Sequence, residues 1–210
     1  MLSSISESVK LLCQHDSSGH DWWHIYRVVN LAKHIGSKEG ADLLVVETAA
    51  LLHDLDDWKL DSSDSENLPI ARKLLNENGS TEDFIEKILT IIKEVSYKGA
   101  GIETIPSSIE GMAVQDADRL DAIGAIGIAR TFAYGGHKNQ PMHNPDLKPI
   151  HHSSYEEYKS TRTSTINHFY EKLLLLKDRL NTKTAKEIGQ QRHIFMEQFL
   201  EQFYSEWNLD

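Results

Sequence analysis

The stretch from Ala41 to Lys59, "ADLLVVETAALLHDLDDWK", constrains the fold more than any other part of the chain. Its first half carries apolar side chains on nearly every face of a 3.6-residue period rather than on one stripe. A helix of that kind is central to a core and has to be enclosed by other elements. The run then ends in one histidine and three aspartates, His53, Asp54, Asp56 and Asp57. Carboxylates near a helix C-terminus oppose the macrodipole by about a few tenths of a kcal/mol each, so a positive centre is expected beside them.

The enclosing segments are helical too. Ile25, Val28, Val29, Ala32 and Ile35 recur at helical spacing behind Asp21, which stands where an N-cap would, and predict a helix over about 22–35. A second helix is expected from about Pro69 to Asn76, closed by a glycine, and a third over "STEDFIEKILTIIKEVS", with Thr81 or Ser80 as its cap. From Pro106 the pattern reads as helix through "DADRLDAIGAIGIARTFAYGG", with Gly124 and Gly127 allowing close packing and Gly135-Gly136 as the stop. Residues 135–154 hold three of the five prolines and read as a loop. The tail over about 155–207 predicts two long amphipathic helices. With few β signals and no repeat or linker, the chain is expected to be a single all-α domain over residues 1–210.

Composition narrows the function. At 210 residues the chain can bury a core without disulfides or a structural metal, so a metal would serve function. Lys and Arg number 22 against 32 Asp and Glu, a formal net charge of −10, which argues against nucleic acid as a partner. The single cysteine, Cys13, excludes an internal disulfide and a Cys-rich zinc module and points to a reducing compartment, with cytoplasm the expected location. No export signal or run of about 20 apolar residues is present, so no membrane partner is expected.

Three short elements carry metal-binding residue types: His24 in "HDWWHIYRVV", His53-Asp54 in "LLHDLDD", and Asp116 and Asp118 in "QDADRLDAIGA". Imidazole and carboxylate together suit borderline divalent metals, and a set of two His and two Asp leaves positions open for water and substrate. In this order the elements resemble the HD-domain phosphohydrolase superfamily, most closely its small bacterial members with "HDWWH" and "DADRLDAIGA". The resemblance covers about residues 20–134, the expected HD core, with the loop and helical extension beyond it. It implies an HD-domain helical bundle followed by the C-terminal pair of long helices. In the family pattern the first ligand precedes an Arg-hydrophobic pair, which selects His24 over His20, and the last is the aspartate of "ADRL", which selects Asp118. Asp116 is then a helix cap or a carboxylate that orients a ligand histidine. The implied ligand set is His24, His53, Asp54 and Asp118. Two-metal members use further histidines, and none occurs between Asp54 and Gly136 here, so one divalent ion is expected. That span also argues against a di-iron oxygenase. Mn²⁺ is the resemblance-based choice, with Mg²⁺, Co²⁺, Ni²⁺, Fe²⁺ and Zn²⁺ as alternatives.

Such a site implies hydrolysis of a phosphoester or phosphoanhydride, because a divalent cation acidifies water and offsets phosphoryl charge. Asp57 is the expected general base, with Asp56 as substitute or both as solvated caps of the next turn, and Asp54 is a catalytic ligand. Arg27, Lys98, His137 and Lys138 are the expected phosphate contacts, although Arg27 could instead pair with Asp116 or Asp121. Trp22-Trp23 is read as completing the core rather than stacking a base. His143, His151 and His152 are read as surface residues. Within the similar bacterial subgroup the implied reaction is nucleoside triphosphate to monophosphate plus pyrophosphate. The nearest alternative is a nucleotidase or phosphodiesterase, and a non-catalytic helical binding protein is a more distant one. The C-terminal helices could also form a homodimer interface.

Overall fold

The computed structural model of the protein describes residues 1–13, 21–56, 67–95, 104–150 and 163–209. The structure is all-α, with no strand among the described residues. Two units are distinguished within it: the described residues of 1–97 with 104–117, and those of 118–210.

The first unit holds α1 (Leu2–Leu12), α2 (Trp22–Glu39), α3 (Leu43–Leu52), α4 (Pro69–Glu77), α5 (Glu82–Val95) and the opening turns of α6 (Ile109–Asp121). The apolar helix α3 is packed against α1, α2 and α5. Val45, Val46, Ala49, Ala50, Leu51 and Leu52 are all buried, so the enclosure that the sequence demands is met from Val45 on, while Leu43 and Leu44 in the first turn are exposed. Against α3, helix α2 turns the stripe of Ile25, Val28, Val29, Ala32 and Ile35 inward. Local capping fixes where these helices start. Asp21 accepts from the His24 amide at 2.9 Å, Asp42 accepts from the Leu44 amide at 2.9 Å, and Thr81 Oγ1 accepts from the Phe84 amide at 3.4 Å.

The second unit holds the last turn of α6, then α7 (Gly124–His137), α8 (Thr165–Glu171), a 3₁₀ helix (Leu173–Arg179) and α9 (Lys183–Asn208). Its core is built on Phe169, which stacks on Phe199 with centroids 5.7 Å apart and lies 6.2 Å from Phe132. α7 packs against both α8 and α9.

The helix expected from Pro106 to Gly135 is two helices, because Ile123 is extended and Gly124 adopts φ +76°, a left-handed conformation that costs glycine nothing. Gly135-Gly136 does not stop α7, which continues to His137. Gly135 instead lets α8 approach, since a Cβ there would sit 2.3 Å from Thr165 Oγ1. Among the described residues of the tail only α9 is long. The "INHFYEKLLLLKDRL" stretch breaks at Lys172 (φ −141°, ψ −57°) into α8 and the 3₁₀ helix. Four consecutive leucines give no 3.6-residue stripe, whereas a 3₁₀ turn aligns Leu173 with Leu176, and both are buried.

Residues 139–150 lack regular structure but are tied to α8. The amides of Thr165 and Ile166 donate to the Pro141 and Met142 carbonyls at 2.9 and 3.0 Å, and Asn167 Nδ2 donates to the Leu147 carbonyl at 3.0 Å. Buried Glu171 accepts through Oε1 from the Ile150 amide at 3.2 Å and from Thr163 Oγ1 at 2.8 Å. His143 is not a surface residue: it is half-buried and packs edge-on against Phe203, Tyr204 and Trp207 of α9, 4.8 Å from the last. His151 and His152 lie outside the described residues. No described helix is long and apolar enough to cross a membrane.

His168 on α8 has a pH consequence. Desolvation, with repulsion from Lys172 added, holds its imidazole neutral and pushes its pKa down to about 3. The unfolded chain protonates this group below about 6.5, so protons favour unfolding and stability falls as pH drops from about 6.5 towards 3. Urea titrations across that window should show a shallower decline for His168→Gln than for the unsubstituted protein. Identical slopes would show that His168 does not contribute.

Candidate metal centre

His24 stands in the first turn of α2, where the Asp21 cap sets the helix start, and its side chain is fully buried. His53 is the residue that closes α3, 7% exposed, and its ring centroid lies 5.5 Å from that of His24. The Nδ1 atom of His53 sits 2.8 Å from the Ala50 carbonyl oxygen. A carbonyl can only accept, so Nδ1 carries a proton, which leaves Nε2 as the nitrogen that can face a metal.

Asp54 follows directly and bridges the two rings. Its Oδ2 is 3.2 Å from His24 Nε2 and its Oδ1 is 3.5 Å from His53 Nε2. These separations fit a common cation. Donors about 2.1 Å from one metal lie about 3.0 Å apart at a right angle and about 3.4 Å apart at the tetrahedral angle. With two imidazole nitrogens and a carboxylate facing one another, His24, His53 and Asp54 are groups that would hold a divalent ion.

α6 supplies the remaining group. Single ligand atoms of His24, His53 and Asp118 all fall within 4.8 Å of one another. Asp116 and Asp118 are 200° apart around a helix; Asp118 is the one that joins the two histidines, and Asp116 is fully buried.

Arg27 is half-buried one turn after His24 on α2, and Asp121, one of the partners considered for it, pairs with Arg130 at 2.6 Å. His137 ends α7, and the exposed Lys138 that caps it lies 5.7 Å from the Tyr134 ring centroid. Asp57 and Lys98 lie outside the described residues. The Trp22-Trp23 pair does not complete the core: Trp22 is half-buried with Lys10 Nζ 6.0 Å from its ring, and Trp23 is 59% exposed. Spacing misplaces this pair because Asp21 sets the helix phase and turns His24 and Ile25, not the tryptophans, inward.

Asp56 has a role that the sequence reading missed. It is buried, not solvated, and its Oδ1 and Oδ2 accept from the amides of Ile70 and Ala71 at 3.0 and 2.9 Å. Those amides open α4, whose own cap position is Leu68, a side chain with no acceptor and a φ of +48°. Asp56 therefore caps a helix far along the chain, with the favourable sign for a carboxylate at a helix N-terminus, and is committed to structure rather than to proton transfer. The only hint in the sequence is that Pro69 begins a helix without a polar residue before it.

The comparisons place the chain among known proteins. The HD domain model matches residues 22–123, a span that includes His24, His53, Asp54 and Asp118. YpgQ of Bacillus subtilis is 44% identical over 195 residues, spanning 92% of this chain and 87% of its own. The chain belongs to the HD-domain family. An HD-superfamily hydrolase from Bacillus thuringiensis, 42% identical, has a crystal structure that matches with a TM-score of 0.79 over 100% of this chain and 97% of that one. A Lactobacillus plantarum protein, 39% identical, matches with a TM-score of 0.86 over the same shares, 100% and 97%. YpgQ has been crystallised in complex with ADP, in a structure covering 98% of this chain and 97% of its own with a TM-score of 0.77. This HD-domain protein is accordingly a metal-dependent hydrolase, and its cluster of His24, His53 and Asp118 is of the kind that the family uses to bind a divalent ion.

The Asp56 cap is open to direct test. Asp56→Ala leaves two amides at the start of α4 without their acceptor, and should cost about 1–3 kcal/mol in urea unfolding. A loss below about 0.5 kcal/mol, the range of ordinary surface substitutions, would show that the cap contributes little.

Proposed function

We propose that this HD-domain protein uses one divalent ion, Mn²⁺ before Mg²⁺, Co²⁺, Ni²⁺, Fe²⁺ or Zn²⁺, to hydrolyse a phosphoanhydride of a small phosphorylated metabolite. The substrate class is nucleoside triphosphate, cleaved by water between the α and β phosphates to give monophosphate and pyrophosphate. The observation that carries this reading is the cluster of His24, His53 and Asp118, a mixed nitrogen and oxygen donor set, with Asp54 beside both histidines. The ADP complex of the related YpgQ supports a nucleotide as the ligand.

His24 and His53 would hold the ion, with the Ala50 carbonyl orienting the His53 ring through Nδ1. Asp54 and Asp118 would complete the set and offset its charge. When bound, such an ion acidifies water and neutralises charge on a phosphoryl oxygen. Asp57 takes the proton of the attacking water as general base. Arg27, Lys98, His137 and Lys138 counter the remaining phosphate charge, which a chain of net charge −10 must do locally. The single buried Cys13 is in keeping with a reducing, cytoplasmic setting. A homodimer through the C-terminal helices belongs to the same reading, and exposed Ile194 and Phe195 on α9 are in keeping with it.

Product identity tests the reaction. Protein loaded with Mn²⁺ and given a nucleoside triphosphate should release pyrophosphate and monophosphate in equal amounts; stepwise orthophosphate release through a diphosphate would overturn the pyrophosphohydrolase assignment. The site assignments separate by a second experiment. Asp54→Ala should remove metal binding and turnover together, whereas Asp57→Asn should lower kcat on the order of 10²-fold or more with metal stoichiometry retained. Loss of metal in Asp57→Asn would make that residue a ligand rather than the base.

A further inference from the structure

Asp118 stands in the last turn of α6, the part of a helix least able to hold itself. The final carbonyls of a helix have no intrahelical donor, and the bonds that close α6 are long. The Ala122 amide is shared between the Asp118 and Arg119 carbonyls at 3.3 Å each, and the Ile123 amide reaches the Leu120 carbonyl at 3.2 Å, against a usual 2.9–3.0 Å for a peptide hydrogen bond. A carboxylate carried on such a turn would wander unless something outside the helix held the turn.

Arg192 of α9 is placed to do so. Its Nη1 donates to the Leu120 carbonyl, a charge-assisted bond at the end of a helix where a cation is favoured. Its aliphatic stem lies against the turn that follows: a Cβ on Gly124 would fall 2.9 Å from Arg192 Cγ and 3.0 Å from its Cβ. Gly124 holds φ +76° there, so the exit from α6 is shaped around this one side chain. Asp121, on the same last turn, adds attraction for the Arg192 guanidinium and is itself held by Arg130 at 2.6 Å. The Arg119 guanidinium donates to the Arg179 carbonyl of the 3₁₀ helix.

We propose that Arg192 is a positioning residue for the metal centre: by capping the last turn of α6 through the Leu120 carbonyl, it holds the Asp118 carboxylate where the ion binds. The inference rests on reading Asp118 as a ligand. It makes metal affinity depend on a side chain of α9 that lies outside the matched family span of residues 22–123.

The test is a double-mutant cycle on the full chain, read as Mn²⁺ affinity by titration followed through the free-ion EPR signal, with the Tm of metal-free protein recorded beside it. Arg192→Ala should weaken Mn²⁺ binding about 10-fold or more, the range for residues that orient a ligand. Arg192→Lys, which keeps a donor without the fork, should restore part of it. In an Asp118→Asn background the same Arg192→Ala change should add less than about 2-fold, because the group it positions is no longer a charged ligand. Equal weakening in both backgrounds would mean that Arg192 supports the fold in general and would overturn the proposal, as would unchanged affinity in Arg192→Ala when Asp118→Asn does weaken binding. If Asp118→Asn leaves Mn²⁺ affinity unaltered, the ligand reading itself fails. Should Arg192→Ala not fold, the cycle run with Arg192→Lys decides by the same comparison.

Discussion

The burial of the C-terminal part of α3, Thr48 to Leu52, is the constraint from which the centre follows. A helix whose last turns are enclosed does not deliver its C-terminal residues to bulk water, so His53, Asp54 and Asp56 emerge where each polar atom must find a partner within the protein. The solutions differ residue by residue. His53 gives its Nδ1 proton to the Ala50 carbonyl, Asp56 takes the first amides of α4, and Asp54 faces the two imidazoles. The acidic ending of "LLHDLDD", unfavourable for an isolated helix, is thereby divided between a cation site and a helix cap.

Much of this was legible in the sequence because it rests on local rules. The apolar run of α3, the stripe of α2 and the caps Asp21 and Thr81 are encoded within a few residues, and the structure has them. The all-α architecture and the family follow from the same patterns together with "HDWWH", "HD" and "DADRL". That His24, His53 and Asp118 come together was also readable, since each sits in a distinctive short context although the chain between them is long. What could not be read depends on partners far along the chain. Nothing near Asp56 announces that it caps α4, and nothing near Gly135 says that Thr165 will press against it. His143 looked like a loop histidine because its aromatic neighbours lie on α9. The break at Lys172 is a case where composition points to helix and packing of Leu173 and Leu176 selects a tighter winding.

The charge distribution adds a further point. In a chain with ten more acidic than basic residues, two arginine side chains converge on the last turn of α6, Arg192 on the Leu120 carbonyl and Arg130 on the Asp121 carboxylate, while Arg119 reaches out from that turn to the Arg179 carbonyl of the 3₁₀ helix. Cations at the end of α6 suit its negative dipole pole. Guanidinium rather than ammonium fits these places, since a planar fork can address a carbonyl while its stem covers backbone.

Glu171 accepts through one carboxylate oxygen from the Ile150 amide and from Thr163 Oγ1, so a single side chain of α8 fastens two stretches of chain at once. A substitution there releases two donors together rather than one. The residues before and after it therefore share one point of failure, and neither can be loosened through this position without the other.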